Sequence, residues 1–164
     1  MFWLWILAAC QAGIVVEGNT QFIKEPDFTE KVNKAIDLLK KKAPGAHTIL
    51  MTHVGKVRAF SKSGANIYLK PITIDVGKPT FDASLTWFAS MLAHESIHAK
   101  QYVEKKDYSG QAAELTANAH QIEVLRLIGA PQSEITYMLS LDGNHFDVNK
   151  DGVYDHKDYE LRNW

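Results

Sequence analysis

The stretch from about Asp82 to Tyr102 constrains this chain more than any other. At about 100° per residue, Phe81, Leu85, Phe88 and Leu92 form one apolar stripe, and Trp87, Met91, His94, His98 and Tyr102 form a second on nearly the opposite side. A helix that is apolar on two sides has to run through the middle of its domain, with other elements on both flanks. The polar groups of the second stripe then face a partly covered cleft rather than open water.

Residues 94–98 of that helix read HESIH. His94 and His98 lie one turn apart, so their rings share a face and can bind one Zn²⁺, and Glu95 projects alongside, where it can hold a water molecule and take its proton. Taken alone, the five residues also fit a helix with two core or surface histidines. A catalytic zinc has three protein ligands and one open position, so a third ligand is the deciding feature. The arrangement H-E-x-x-H-x-x-G-x-x-H is not met, because Gln101 stands where its glycine belongs and Glu104 where its third histidine belongs.

The next helix, from about Gln111 to Ile128 and closed by Gly129 and Pro131, offers more. Leu115, Ala117, Ile122, Leu125 and Ile128 define its buried face, while Thr116, His120 and Glu123 point away. Glu114, Asn118 and Gln121 fall within the buried face, and three polar groups there are costly unless something satisfies them. A zinc ion and the groups around it would do so. A water-filled polar pocket is the other reading. His120 lies about 120° off that face and reads as a surface histidine.

The remaining segments suggest an α+β layout, a small antiparallel sheet packed on the central helix with further helices. PDFTEKVNKAIDLLKKKAPG reads as a first helix, with Asp27 and Glu30 as a capping box and Phe28, Val32, Ile36 and Leu39 as its stripe. The run from His47 to Pro79 alternates β-branched and aromatic residues with glycine breaks, which predicts three or four short antiparallel strands, with Pro71 at an edge or bulge. SEITYMLSL reads as a short late helix. A content of 46% apolar and 23% charged residues suits one globular domain, and a net charge of -1 with scattered basic residues offers no field for nucleic acid.

The two ends are of other kinds. MFWLWILAAC is nearly all apolar and reads as a signal segment, and LAAC resembles the bacterial lipobox, whose cysteine becomes the lipidated first residue. Cys10 is the only cysteine, so no intrachain disulfide is possible. A buried N-terminal strand with a core cysteine is the alternative. At the other end, DVNKDGVYDHKD resembles the calcium loop of EF-hands and dockerins. Asp147, Asn149, Asp151, Asp155 and Asp158 stand at loop positions 1, 3, 5, 9 and 12, Gly152 at the sharp turn, and Val153 where a backbone carbonyl ligates. Gly143 is expected to interrupt an entering helix. A single loop implies a structural clip for Ca²⁺ rather than a switch, and a solvated acidic turn is the bland reading.

HESIH followed by ELTAN, within a stretch from roughly Ala65 to Gly129, resembles the gluzincin metallopeptidases, in which a glutamate on a downstream helix completes the zinc site. The resemblance implies a zincin-like fold, with His94, His98 and Glu114 as zinc ligands, Glu95 as catalytic base and a peptide or protein as substrate. Asn118 stands where many gluzincins carry an aspartate that orients a ligand histidine. The resemblance also implies a further donor to the oxyanion, for which Tyr137 and His145 are both candidates, and an edge strand, here around Asn66 to Leu69, that pairs with an extended peptide. The chain is thus expected to comprise a leader (1–20), a peptidase domain (21–142) and a calcium-binding tail (143–164). It is expected to be exported, with Cys10 as the candidate membrane anchor. The rival expectation is a non-enzymatic calcium-binding module whose zinc motif is structural or vestigial.

Overall fold

A computed structural model describes residues 13–153 and 156–161. The apolar leader with Cys10, and Asp155 of the tail, lie outside the described residues. The elements in order are β1 (Val15–Glu17), α1 (Asp27–Lys42), α2 (Pro44–His53), β2 (Lys56–Ala59), β3 (Gly64–Asn66), β4 (Thr73–Val76), α3 (Lys78–Asp82), α4 (Leu85–Val103), α5 (Gln111–Ile128), α6 (Gln132–Leu139) and α7 (His156–Leu161). The fold is mixed helix and sheet, α+β in outline, with a small four-stranded sheet.

The central helix is where its two stripes require it to be. α4 packs on α1 and α2 on one flank, on α5 on another, and against β3 and β4. From Phe88 to Gln101 every residue but Glu95 and Lys100 is buried. Phe88 and Leu92 join Phe28, Val32, Leu39, Leu50, Val57 and Ile74 in one core. Each large side chain fully buried there contributes roughly 1.5–3 kcal/mol.

The sheet differs from the antiparallel expectation. Its order is β1-β2-β4-β3, with β1·β2 and β2·β4 parallel and only β3·β4 antiparallel. HTILMTH, expected as a strand, lies in α2. Pro44 sits in the first turn, and Ala46 and Leu50, one turn apart, both reach the core. Thr48 and Thr52 return their hydroxyls to the carbonyls of Pro44 and Thr48, which lets β-branched residues sit in a helix.

Two details concern the start of the chain. β1 draws Val15–Glu17, inside the stretch assigned to the leader, into parallel register with Lys56–Arg58. Pro26, not Asp27, caps α1, without a side-chain hydrogen bond. The Asp27–Glu30 capping box therefore does not form. Glu25 accepts from the Thr29 hydroxyl at 2.8 Å, and Glu30 pairs with Lys34.

At the far end, Gly143 has a φ of +80°, and a Cβ there would stand 2.8 Å from Leu115 Cγ and 3.0 Å from the Gln111 carbonyl oxygen. Only glycine fits so close a turn against α5. With α6 ending at Leu139, no helix runs into the tail loop, as the glycine foretold. Among the described residues no helix is long and apolar enough to cross a membrane.

Candidate metal centre

α4 starts at Ser84, whose hydroxyl accepts from the Trp87 amide at 2.9 Å. Glu134 of α6 accepts from the Ser84 hydroxyl and from the Thr86 hydroxyl, the latter at 2.8 Å. An anchored first turn fixes the helical phase of everything after it. His94 and His98 are consequently both buried, with ring centroids 5.0 Å apart and Nε2 atoms 3.2 Å apart.

The third group comes from the first turn of α5, a position where the helix dipole favours a carboxylate. Glu114 Oε2 stands 3.5 Å from His94 Nε2, and Glu114 Oε1 stands 3.4 Å from His98 Nε2. One ligand atom from each of the three residues lies within 4.8 Å of the others. A tetrahedral ion with bonds of about 2.0–2.1 Å has edges of about 3.3 Å, so separations of this size suit two imidazoles and a carboxylate around one zinc-sized cation. The donor set has another property that a cation would relieve. Glu114 Oε2 is buried and has no hydrogen-bond partner among the described residues.

The electrostatics follow from this packing. Burial opposes a charge on His94, but the Glu114 carboxylate and the nearby Glu95 outweigh it, and the His94 pKa lies above its ordinary value. Burial likewise works against ionisation of Glu114, yet His94, His98 and His145 hold its pKa below the usual carboxylate value. Burial pushes His145 down, against the pull of Glu114.

Glu95 is half-buried and lines a cleft of about 540 Å³ together with His94, His98 and Glu114. His145 lines the same cleft, with Nε2 3.7 Å from Glu114 Oε2. Tyr137 is not among the lining residues. It is more than half exposed, and its ring packs edge-on against Trp87 at 5.5 Å. Of the two sequence candidates for a donor facing the reaction, only His145 reaches the cleft.

Other expectations are corrected in detail. Asn118 and Gln121 are buried as expected. Gln121 donates to Ser90 Oγ at 3.1 Å, while both polar atoms of the Asn118 amide lack hydrogen-bond partners among the described residues. Leu115, assigned to the buried face, is 46% exposed, and Ala113 and Val124 take up that face instead. His120 is half-buried rather than on the surface, and burial lowers its pKa, but it stands outside the three-residue cluster. The edge strand is β3, which ends at Asn66; Ile67 and Tyr68 follow it along the cleft in a turn.

Three features were missed. Gln101 is buried and its Oε1 lies 3.1 Å from His98 Nδ1. Its signal was present, since it sits two turns on from His94 and within about 20° of the same face. Arg58 and Asp75, direct partners in the β2·β4 register, form a two-pronged ion pair at 2.7 and 3.2 Å, with Asp75 on the cleft wall. A charged residue in the strand TIDV hinted at a partner without naming it. Tyr68, Tyr102 and Tyr108 pack edge-on in a chain, and Tyr68 and Tyr108 border the cleft.

In the tail, the carboxylates and amides fold onto one loop. Asp147 accepts from the amides of Asp151 and Gly152, Asn149 from that of Asp151, and Asp151 from that of Val153, at 2.9–3.1 Å. Asp158, buried at the start of α7, accepts from the Asn149 amide at 3.2 Å. Gly152, at φ +82°, makes the turn that lets these groups converge. The loop thus brings together Asp147, Asn149, Asp151 and Asp158, with Val153 following the turn.

Taken together, fold and site define an α+β protein with a candidate two-histidine, one-glutamate metal centre at the floor of an open cleft. Comparison with models of protein families, with curated proteins and with solved structures found no match to this chain.

Proposed function

We propose that this chain is a small zinc metallopeptidase of the gluzincin type, zincin-like in fold, that hydrolyses peptide bonds in peptides or proteins. The observation that carries the reading is the convergence of His94, His98 and Glu114 with Glu95 at one open cleft. His94, His98 and Glu114 would hold the zinc. When bound, zinc supplies a Lewis acid that polarises the scissile carbonyl and acidifies water.

The remaining work falls to the chain's own groups. Glu95 takes a proton from the attacking water and delivers it to the leaving amine. His145 approaches from the cleft side of Glu114 and donates to the carbonyl oxygen as charge gathers there. The edge strand β3 offers its backbone to an extended substrate along the cleft wall. Export with Cys10 as lipid anchor, and Ca²⁺ in the loop from Asp147 to Asp158, complete the proposal. The leader's composition supports the first, and the convergence of Asp147, Asn149, Asp151 and Asp158 supports the second.

The test is metal analysis of purified protein alongside cleavage of a mixed peptide library. About one zinc per chain and chelator-sensitive cleavage are expected. Cleavage that persists in fully zinc-free protein would contradict the reading.

A further inference from the structure

His98 has a partner that no feature of the HESIH motif requires. Gln101, one turn further along α4 and buried, places its side-chain amide between two groups. Its Oε1 lies 3.1 Å from His98 Nδ1, and its Nε2 lies 3.5 Å from the backbone carbonyl oxygen of Ala113 in the first turn of α5. A carbonyl oxygen can only accept, so Ala113 fixes which end of the amide is nitrogen. The oxygen end then faces His98 Nδ1. An amide oxygen can also only accept, so Nδ1 must carry the proton. In a neutral imidazole this leaves Nε2 with its lone pair, aimed at His94 and Glu114.

We infer that Gln101 is a positioning residue that locks His98 in the Nε2-ligating tautomer and, through Ala113, ties that histidine to the turn of α5 that presents Glu114. The inference rests on the zinc reading above. It assigns to one uncharged side chain two tasks: setting the protonation pattern of a ligand and fixing the spacing of the two ligand-bearing helices. Because Ala113 directly precedes Glu114, a change in the amide is transmitted to the carboxylate ligand as well as to the ring. Partners of this kind around a metal ligand typically change affinity by roughly 10–100-fold when removed.

The test has two arms. In zinc-free wild-type protein, long-range proton–nitrogen NMR of His98 should show the proton on Nδ1, and a neutral ring protonated on Nε2 overturns the inference. In the second arm, zinc affinity is measured by chelator competition and the ligand field by the visible spectrum of the cobalt-substituted protein. Gln101→Leu, which keeps the volume and removes both hydrogen bonds, should bind zinc roughly 10–100-fold more weakly, with an altered cobalt spectrum. Gln101→Glu, which keeps the acceptor facing Nδ1 but cannot donate to Ala113, should bind zinc more tightly than Gln101→Leu and more weakly than wild type, an order that a purely space-filling role would not predict. Should Gln101→Leu fail to fold, Gln101→Glu and the wild-type tautomer still decide. Wild-type zinc binding with unchanged affinity and spectrum in Gln101→Leu overturns the role of Gln101 alone. Absence of zinc binding by wild-type protein overturns the zinc reading itself.

Discussion

His98 Nε2 stands 3.4 Å from Glu114 Oε1, on two packed helices joined by the mostly exposed turn after Val103. That approach brings a carboxylate to the two-histidine motif and makes a candidate three-residue metal site. In the proposed mechanism it also separates the groups that would hold a metal from the group that would do chemistry beside it.

In that mechanism Glu95 belongs to the second kind. Glu95→Gln should leave zinc content unchanged and lower peptide hydrolysis by roughly 10²–10⁴-fold, because it removes the proton acceptor and none of the ligands. Metal analysis and kcat/KM on the same preparation check this. Wild-type turnover in the variant would remove Glu95 from the mechanism.

The placement of His145 and Tyr137 makes a contrasting pair. His145→Ala should lower kcat by roughly 10²–10³-fold with zinc retained, as for the loss of a donor to developing negative charge. Tyr137→Phe should change kcat little, since that ring rests on Trp87 outside the cleft. The reverse order would make Tyr137, not His145, the donor to the oxyanion.

Proton competition at His94 predicts the pH dependence of zinc binding. A protonated ring cannot ligate, so affinity is full above the His94 pKa and falls as pH drops through it. That pKa is raised above 6.5, so the fall should begin on the alkaline side of that value. Chelator competition between about pH 8 and about pH 6 measures it. A fall confined to pH values below 6.5 would contradict the raised pKa.

Calcium at the tail loop should stabilise the fold by binding only the native state. At about a hundredfold excess over Kd the gain is about 2.7 kcal/mol, a rise in Tm of roughly 5–10 °C for a chain of this size. Asp147→Ala combined with Asp151→Ala should abolish the rise in a calorimetric scan. A calcium response that survives the double substitution would move the site elsewhere.

The legible and illegible parts of this molecule divide by range. α5 was readable to the residue because Gly110, Gly129 and Pro131 punctuate it, and α4 in its body because its two apolar stripes share one period. Phe81, however, belongs to the separate α3, and α4 begins at Leu85 rather than near Asp82. The meeting of His94, His98 and Glu114 followed, since helical phase is a local property. The sheet did not follow. β1 and β3 are three residues each, and their partners are chosen by contacts that cross α1 and α2 or the turn before Pro71. Leu115 was placed inside because phase alone cannot tell which neighbours cover the start of α5; it is 46% exposed and packs close to the Gly143 turn. His145 reaches Glu114 through a loop whose path no local pattern encodes, and Gln101 escaped because its partner, Ala113, lies on another helix.

Zinc content per folded chain in Glu114→Ala, Asn118→Ala and His120→Ala tests the central claim most directly, with wild type as reference. The account predicts about one zinc in wild type and in His120→Ala, and only a small loss of affinity for Asn118→Ala, whose buried amide makes no hydrogen bond to a ligand histidine among the described residues. Near-complete loss is predicted for Glu114→Ala, because two histidines leave the ion under-coordinated. Full zinc retention in Glu114→Ala, or loss of zinc in His120→Ala, would contradict the three-ligand site.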